Sequence, residues 1–114
     1  MRFFKRKDKP GEYKGRYYTE YVDDIKELKR QGKLVEVEAL LLALIDVMET
    51  ETKVNKTIVG PWYYEQLAIM YRERKDYSAE VAILERYAKQ PHIPKATLLE
   101  RLQKAQALRD GTTV

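Results

Sequence analysis

Apolar side chains recur along most of the chain at intervals of three or four residues, the spacing that defines one face of an α-helix. The first stretch with this period begins at Tyr17. It ends just before Gly32, where Lys29 and Arg30 supply the cations that favour the last turn of a helix. This pattern predicts a first helix between Tyr17 and Gly32.

A second helix is predicted from Lys33 or Leu34 to about Glu51. Its middle is apolar on nearly every side, so we expect it to be the most buried element of the fold. The residues that follow are rich in β-branched side chains, and the segment 57–59 is the one candidate for a strand. The dipeptide Gly60-Pro61 then marks a chain break, because proline suits the first position of a helix.

Three further helices follow this break, separated by a short turn at 75–77 and by a loop with two prolines. Short connections between consecutive helices favour antiparallel helical hairpins. We therefore predict an all-α fold of about five helices, made of two antiparallel hairpins and a C-terminal capping helix. The last three helices are expected from Pro61 to about Arg74, from about Ser78 to Lys89, and over roughly 95–109.

Length and charge set the domain organisation. A chain of 114 residues is the size of one domain. Its net charge of +4 is unevenly placed, since residues 1–16 carry seven basic and two acidic groups. We expect a basic, flexible N-terminal arm over 1–16, a single helical domain over 17–110 and a tail over 111–114.

The composition argues against catalysis and against cofactors. Cysteine is absent, and His92 is the one histidine, so thiolate sites, cysteine nucleophiles and paired-histidine zinc sites are excluded. Two pairs of carboxylates, Glu20 with Asp24 and Asp46 with Glu49, have helical spacing but no third ligand nearby. The glycines form no phosphate-binding loop. We expect a protein that is not an enzyme and holds neither cofactor nor metal.

The sequence predicts no membrane span and no secretory signal. The longest apolar run, from Ala39 to Ile45, has seven residues, whereas a span needs about 18–20. The basic start leads into no apolar segment of the kind that a signal peptide contains. A cytoplasmic location is therefore expected.

The two predicted hairpins correspond to each other at a constant offset of 43 residues, with apolar or aromatic side chains at most matched positions. The second hairpin, 61–91, contains a characteristic set of side chains: Leu67, Ala68, Tyr71, Asp76-Tyr77, Leu84 and Pro91. With these residues it resembles a tetratricopeptide repeat. It departs from that family at Glu80 and Tyr87, where alanine is usual, and the offset exceeds the usual repeat of about 34 residues.

The resemblance implies a non-catalytic adaptor that binds a protein or peptide along the first helix of each hairpin. The cations among these positions would favour an acidic segment or a C-terminal carboxylate, although they could equally be a solvated surface. The aromatic run 62–64 could be an interface anchor or a packed helix start. The partner-binding positions implied by the resemblance are Lys26, Lys29, Arg30, Trp62, Glu65, Ile69 and Arg72.

Two alternatives remain open. The basic arm alternates with aromatic residues, a composition that can bind nucleic-acid phosphates and stack on bases, or lie on an anionic membrane surface, or serve only solubility. The apolar segment 40–44 would be a homodimer face if one side of it were exposed. The candidate nucleic-acid-binding residues are Arg2, Lys5, Arg6, Lys7, Lys9, Lys14 and Arg16.

Overall fold

The computed structural model describes residues 8–111. This part of the chain contains five α-helices and one two-stranded sheet, which confirms the predicted all-α class. Each predicted helix is present, with ends within a few residues of those expected. The elements are β1 (Glu12–Tyr13), β2 (Arg16–Tyr17), α1 (Val22–Arg30), α2 (Leu34–Asn55), α3 (Trp62–Glu73), α4 (Tyr77–Ala88) and α5 (Ala96–Arg109).

The chain divides into two compact units, one up to Thr57 and one from Ile58, where the sequence predicted a single domain over 17–110. Unit 1 contains β1, β2, α1 and α2, and unit 2 contains α3, α4 and α5. Each unit is therefore described on its own.

Both units contain a helical hairpin with a three-residue turn, and the turns match at the predicted offset. Helix α1 ends at Arg30 and α2 begins at Leu34, while α3 ends at Glu73 and α4 begins at Tyr77. The second helices differ in length, 22 residues in α2 against 12 in α4. The extra residues that the long offset requires therefore lie in α2.

Helix α2 is not the most buried element, contrary to the prediction. Six of its 22 residues are buried, whereas six of the 12 residues of α3 are buried. In α2 the buried positions follow one face, and Val35 and Asp46 on the other side are exposed. The apolar run in the middle of α2 led to the wrong prediction, because two of its leucines, Leu40 and Leu42, are only half-buried.

Residues 12–17, predicted to belong mostly to a flexible arm, form a β-hairpin in unit 1. Strands β1 and β2 are antiparallel, with Tyr13 opposite Arg16. Lys14 and Gly15 have φ angles of 49° and 81°, as a two-residue type I′ turn requires. A 3-10 helix (Tyr18–Tyr21), part of the predicted first helix, then leads into α1. Strands of two residues are too short to show a period in the sequence.

A hydrogen bond attaches this β-hairpin to α2: the Tyr17 hydroxyl donates to the Glu51 carboxylate. Within the N-terminal segment, the Tyr18 amide donates to the Gly11 carbonyl at 2.9 Å. Gly11 is buried, with φ at 84°, and a side chain there would overlap Glu51 and Tyr17. The glycine is thus needed both for its backbone angle and for its lack of a side chain.

Unit 2 packs its three helices around an apolar centre. Tyr64, Leu67 and Ala68 of α3 are fully buried, and so is Leu84 of α4. The predicted turn before α4 is confirmed, since the Asp76 carboxylate accepts a hydrogen bond from the Ala79 amide and caps that helix. The candidate strand 57–59 does not form, and the Val59 amide instead donates to the Pro91 carbonyl at 2.9 Å.

Candidate partner-binding groove

The predicted cations of unit 1 lie on α1 and in part bind their own helix. Lys26 is exposed and Lys29 is half-buried. Arg30 forms an ion pair with Glu27 at 2.6 Å, which raises the pKa of the arginine and lowers that of the carboxyl. Glu27 therefore neutralises Arg30, one of the three α1 cations that the sequence predicted to bind a ligand.

The predicted positions of unit 2 follow one face of α3, and all four are half-buried. The Trp62 ring packs edge-on against Tyr63 with centroids 5.2 Å apart, so this aromatic is part of a packed helix start. Glu65 lies 3.8 Å from the Lys95 ammonium. The last of the four, Arg72, is turned into unit 2 and meets Glu80.

Arg72, Glu80 and Arg101 form a charged triad that joins the three helices of unit 2. The Arg72 guanidinium donates to one Glu80 oxygen at 2.9 Å and lies 2.8 Å from the other, and Arg101 reaches that second oxygen at 3.2 Å. Arg72 also donates to the Arg101 carbonyl at 3.0 Å. Glu80 is 0% exposed, and a buried carboxylate requires such partners. Arg72 therefore has a structural role, which argues against the ligand contact that the resemblance implies.

A groove, which we call the α4–α5 groove, opens between α4 and α5. It has a volume of about 340 Å³. One wall is formed by Leu84, Tyr87 and Ala88 of α4, which lie on one helical face. Because Leu84 and Tyr87 are buried, the apolar area that this wall presents to a ligand lies mainly at the exposed Ala88.

The opposite wall is formed by three leucines of α5 that differ in exposure. Leu98 is 3% exposed and contributes to the core, whereas Leu99 is 57% exposed, and Leu102 is half-buried between these extremes. The exposure of Leu99 leaves apolar surface of the groove in contact with water, as is common at binding surfaces.

One end of the α4–α5 groove is closed by the loop between the two helices. The His92 ring stacks on Tyr87 with centroids 4.4 Å apart, and its Nδ1 lies 3.0 Å from the Ile93 carbonyl. Since a carbonyl can only accept, that nitrogen donates. Lys95 completes this end of the lining, and its ammonium lies 3.8 Å from the Glu65 carboxylate of α3.

The sequence predicted a capping helix over roughly 95–109 but no groove beside it. Three leucines of that helix, Leu98, Leu99 and Leu102, line the groove. Two adjacent residues of a helix point about 100° apart, so Leu98 and Leu99 cannot both be buried on the same face. The adjacency of Leu98 and Leu99 was the sequence signal that could have indicated an exposed leucine on this helix.

The described basic residues of the N-terminal segment, Lys9, Lys14 and Arg16, divide into two sets. Lys9 and Lys14 are exposed. Arg16 donates to Asp24 at 3.0 Å and lies 4.1 Å from the centre of the Tyr21 ring, so its charge is engaged within unit 1. The remaining predicted residues, Arg2, Lys5, Arg6 and Lys7, lie outside the described residues.

Comparisons with known proteins add no family: no family model, no curated protein and no solved structure matches this chain. Among residues 8–111, no group of three or more potential metal ligands occurs. In the same part of the chain, no helix is long and apolar enough to cross a membrane.

Proposed function

We propose that this chain is a non-catalytic protein-interaction module that binds an apolar segment of a partner protein in the α4–α5 groove. The proposal keeps the adaptor function that the resemblance to tetratricopeptide repeats implies. It moves the binding surface from the first helices of the hairpins to the second helix of unit 2 and α5. A cytoplasmic location remains a prediction from the sequence.

The observation that carries this proposal is the exposure of Leu99 in a groove of ligand-binding size. Ligand sites have volumes of about 300–1,000 Å³ and apolar linings with a few polar groups. The α4–α5 groove, at about 340 Å³, lies at the small end of that range. It therefore suits a few aliphatic side chains of a partner.

The alternative surface on the first helices has less support. Arg72 already donates to two acceptors, Glu80 and the Arg101 carbonyl. If Arg72 turned to a ligand instead, the buried Glu80 carboxylate would lose one of its partners. Arg30 is likewise paired, with Glu27. An acidic ligand on those helices would have to compete with bonds that the fold already makes.

The test is affinity capture with the full chain and two variants. Leu99→Glu places a charge in the groove, and Val35→Glu places the same charge on α2 at a residue that is 80% exposed. Both positions tolerate a charged side chain because they are open to water. We expect a partner retained by the wild type and by Val35→Glu to be lost by Leu99→Glu. Retention of the same proteins by all three would contradict the groove.

A further inference from the structure

The polar groups at the α4–α5 groove point to the chemistry of its occupant. Its lining includes Lys95 and His92, and no carboxylate lines it among the described residues. Lys95 would repel a cationic group of an occupant and would attract an anionic group. This step depends on the proposed function, since it concerns the ligand of the same groove.

Lys95 keeps hydrogen-bonding capacity for a ligand. Its ammonium forms an ion pair with a Glu65 oxygen at 3.8 Å, a distance beyond that of a hydrogen bond. A lysine has three donors on a flexible stem, and the Lys95 side chain is 40% exposed. The ammonium can therefore turn to a new acceptor without breaking a hydrogen bond to Glu65.

We infer that the α4–α5 groove binds a peptide segment with a carboxylate next to leucine-like side chains, the carboxylate being received by Lys95. The aliphatic side chains lie between Ala88 of α4 and Leu99 of α5, and the acidic group lies at the end closed by the interhelical loop. The carboxylate is either a side chain of the segment or its C-terminus, because both present the same acceptor oxygens.

Three peptides separate these sources. The first is acetyl-Ser-Leu-Leu-Ala-Leu with a C-terminal amide, the second is the same peptide with a free carboxylate, and the third is the amide with glutamate in place of alanine. Each is titrated into the full chain and followed by amide chemical shifts. We expect at least one acidic peptide to bind about fivefold more tightly than the neutral one, as a partly exposed charged hydrogen bond allows.

Matched variants show whether Lys95 causes the difference. Lys95→Met should remove the advantage of the acidic peptide, and Lys104→Met should preserve it, because Lys104 is exposed on α5 and does not line the groove. Glu65→Gln should tighten the acidic peptide about twofold, since it removes the competing carboxylate.

The results distinguish a failure of the carboxylate inference from a failure of the proposed function. Equal affinities of all three peptides, or equal losses with both lysine variants, would overturn the carboxylate inference and leave apolar binding in place. If no peptide shifts the amides of α4 and α5, or if Leu99→Glu binds as the wild type does, the proposed function itself fails. Tighter binding by one acidic peptide alone identifies the source of the carboxylate.

Discussion

The two units extend the same helical hairpin in different ways. In unit 1, the β-hairpin packs on α2 and is held by the hydrogen bond from Tyr17 to Glu51. In unit 2, α5 packs on α4 through apolar side chains and through the charged triad. The element added to each helical hairpin, the β-hairpin in unit 1 and α5 in unit 2, therefore determines which surface the unit presents.

The cavities beside these third elements show the difference. The space next to the β-hairpin is larger, about 480 Å³, but its lining includes Asp8, Lys9, Glu12 and Thr50. The α4–α5 groove is smaller and is lined mainly by aliphatic side chains. Apolar area removed from water drives association, so the smaller cavity is the better binding surface.

Among the changes that test this difference between the units, loss of the charged triad is expected to lower stability the most. Glu80→Ala leaves the Arg72 and Arg101 guanidiniums without their shared carboxylate, and we expect the free energy of unfolding to fall by about 3 kcal/mol. Urea denaturation followed by circular dichroism measures this change. Glu100→Ala, at an exposed position of α5, should change stability by less than about 0.5 kcal/mol. Similar losses in the two variants would show that the triad does not stabilise unit 2.

A smaller effect is expected in unit 1 at Gly11. Gly11→Ala introduces strain at a positive φ and forces Glu51 or Tyr17 to move, so we expect a loss of about 2 kcal/mol. Gly15 is the matched control, because it has φ at 81° but open space around it. Gly15→Ala should therefore cost only about 1 kcal/mol, from strain alone. If thermal or urea unfolding shows equal losses, Gly11 is not in contact with α2.

The smallest effect is expected from the Tyr17 hydroxyl. Tyr17→Phe removes the bond to Glu51 and should cost about 1 kcal/mol at neutral pH. Burial, followed by that hydrogen bond, raises the pKa of Tyr17 above its ordinary value near 10. The protonated phenol is thus favoured by folding.

This raised pKa gives the Tyr17 contribution a pH dependence. It is fully present below about pH 10, where a tyrosine of the unfolded chain is protonated, and is lost as the pH rises further. The wild type should therefore lose stability more steeply than Tyr17→Phe above pH 10. Urea midpoints measured between about pH 8 and pH 11 test this, and parallel curves would contradict it.

The helices were predictable because each is long enough to show its period, and because capping signals mark several ends. Gly32 has φ at 74° just after α1, as its position after Lys29 and Arg30 indicated. Asp76 caps α4, in the turn that the sequence predicted. The end of α2 was placed too early, since the β-branched residues after Glu51 continue the helix to Asn55.

The binding surface was not predictable in the same way, because it depends on distant side chains. Glu80 appeared as a departure from a repeat pattern, and nothing local in the sequence showed that Arg72 and Arg101 would meet it. The exposure of Leu99 depends on how α5 is rotated against α4. Periodicity gives the apolar face of a helix but not which part of it a neighbour covers.

Mapping of amide chemical shifts shows whether the partner segment binds in unit 2, between α4 and α5. The full chain is titrated with the leucine peptide that carries a free carboxylate. We predict the largest shifts near Ala88 and Leu99, with α1 unchanged. Shifts concentrated on α1 around Lys26, or on the exposed side of α3, would contradict it and favour the surface implied by the sequence resemblance.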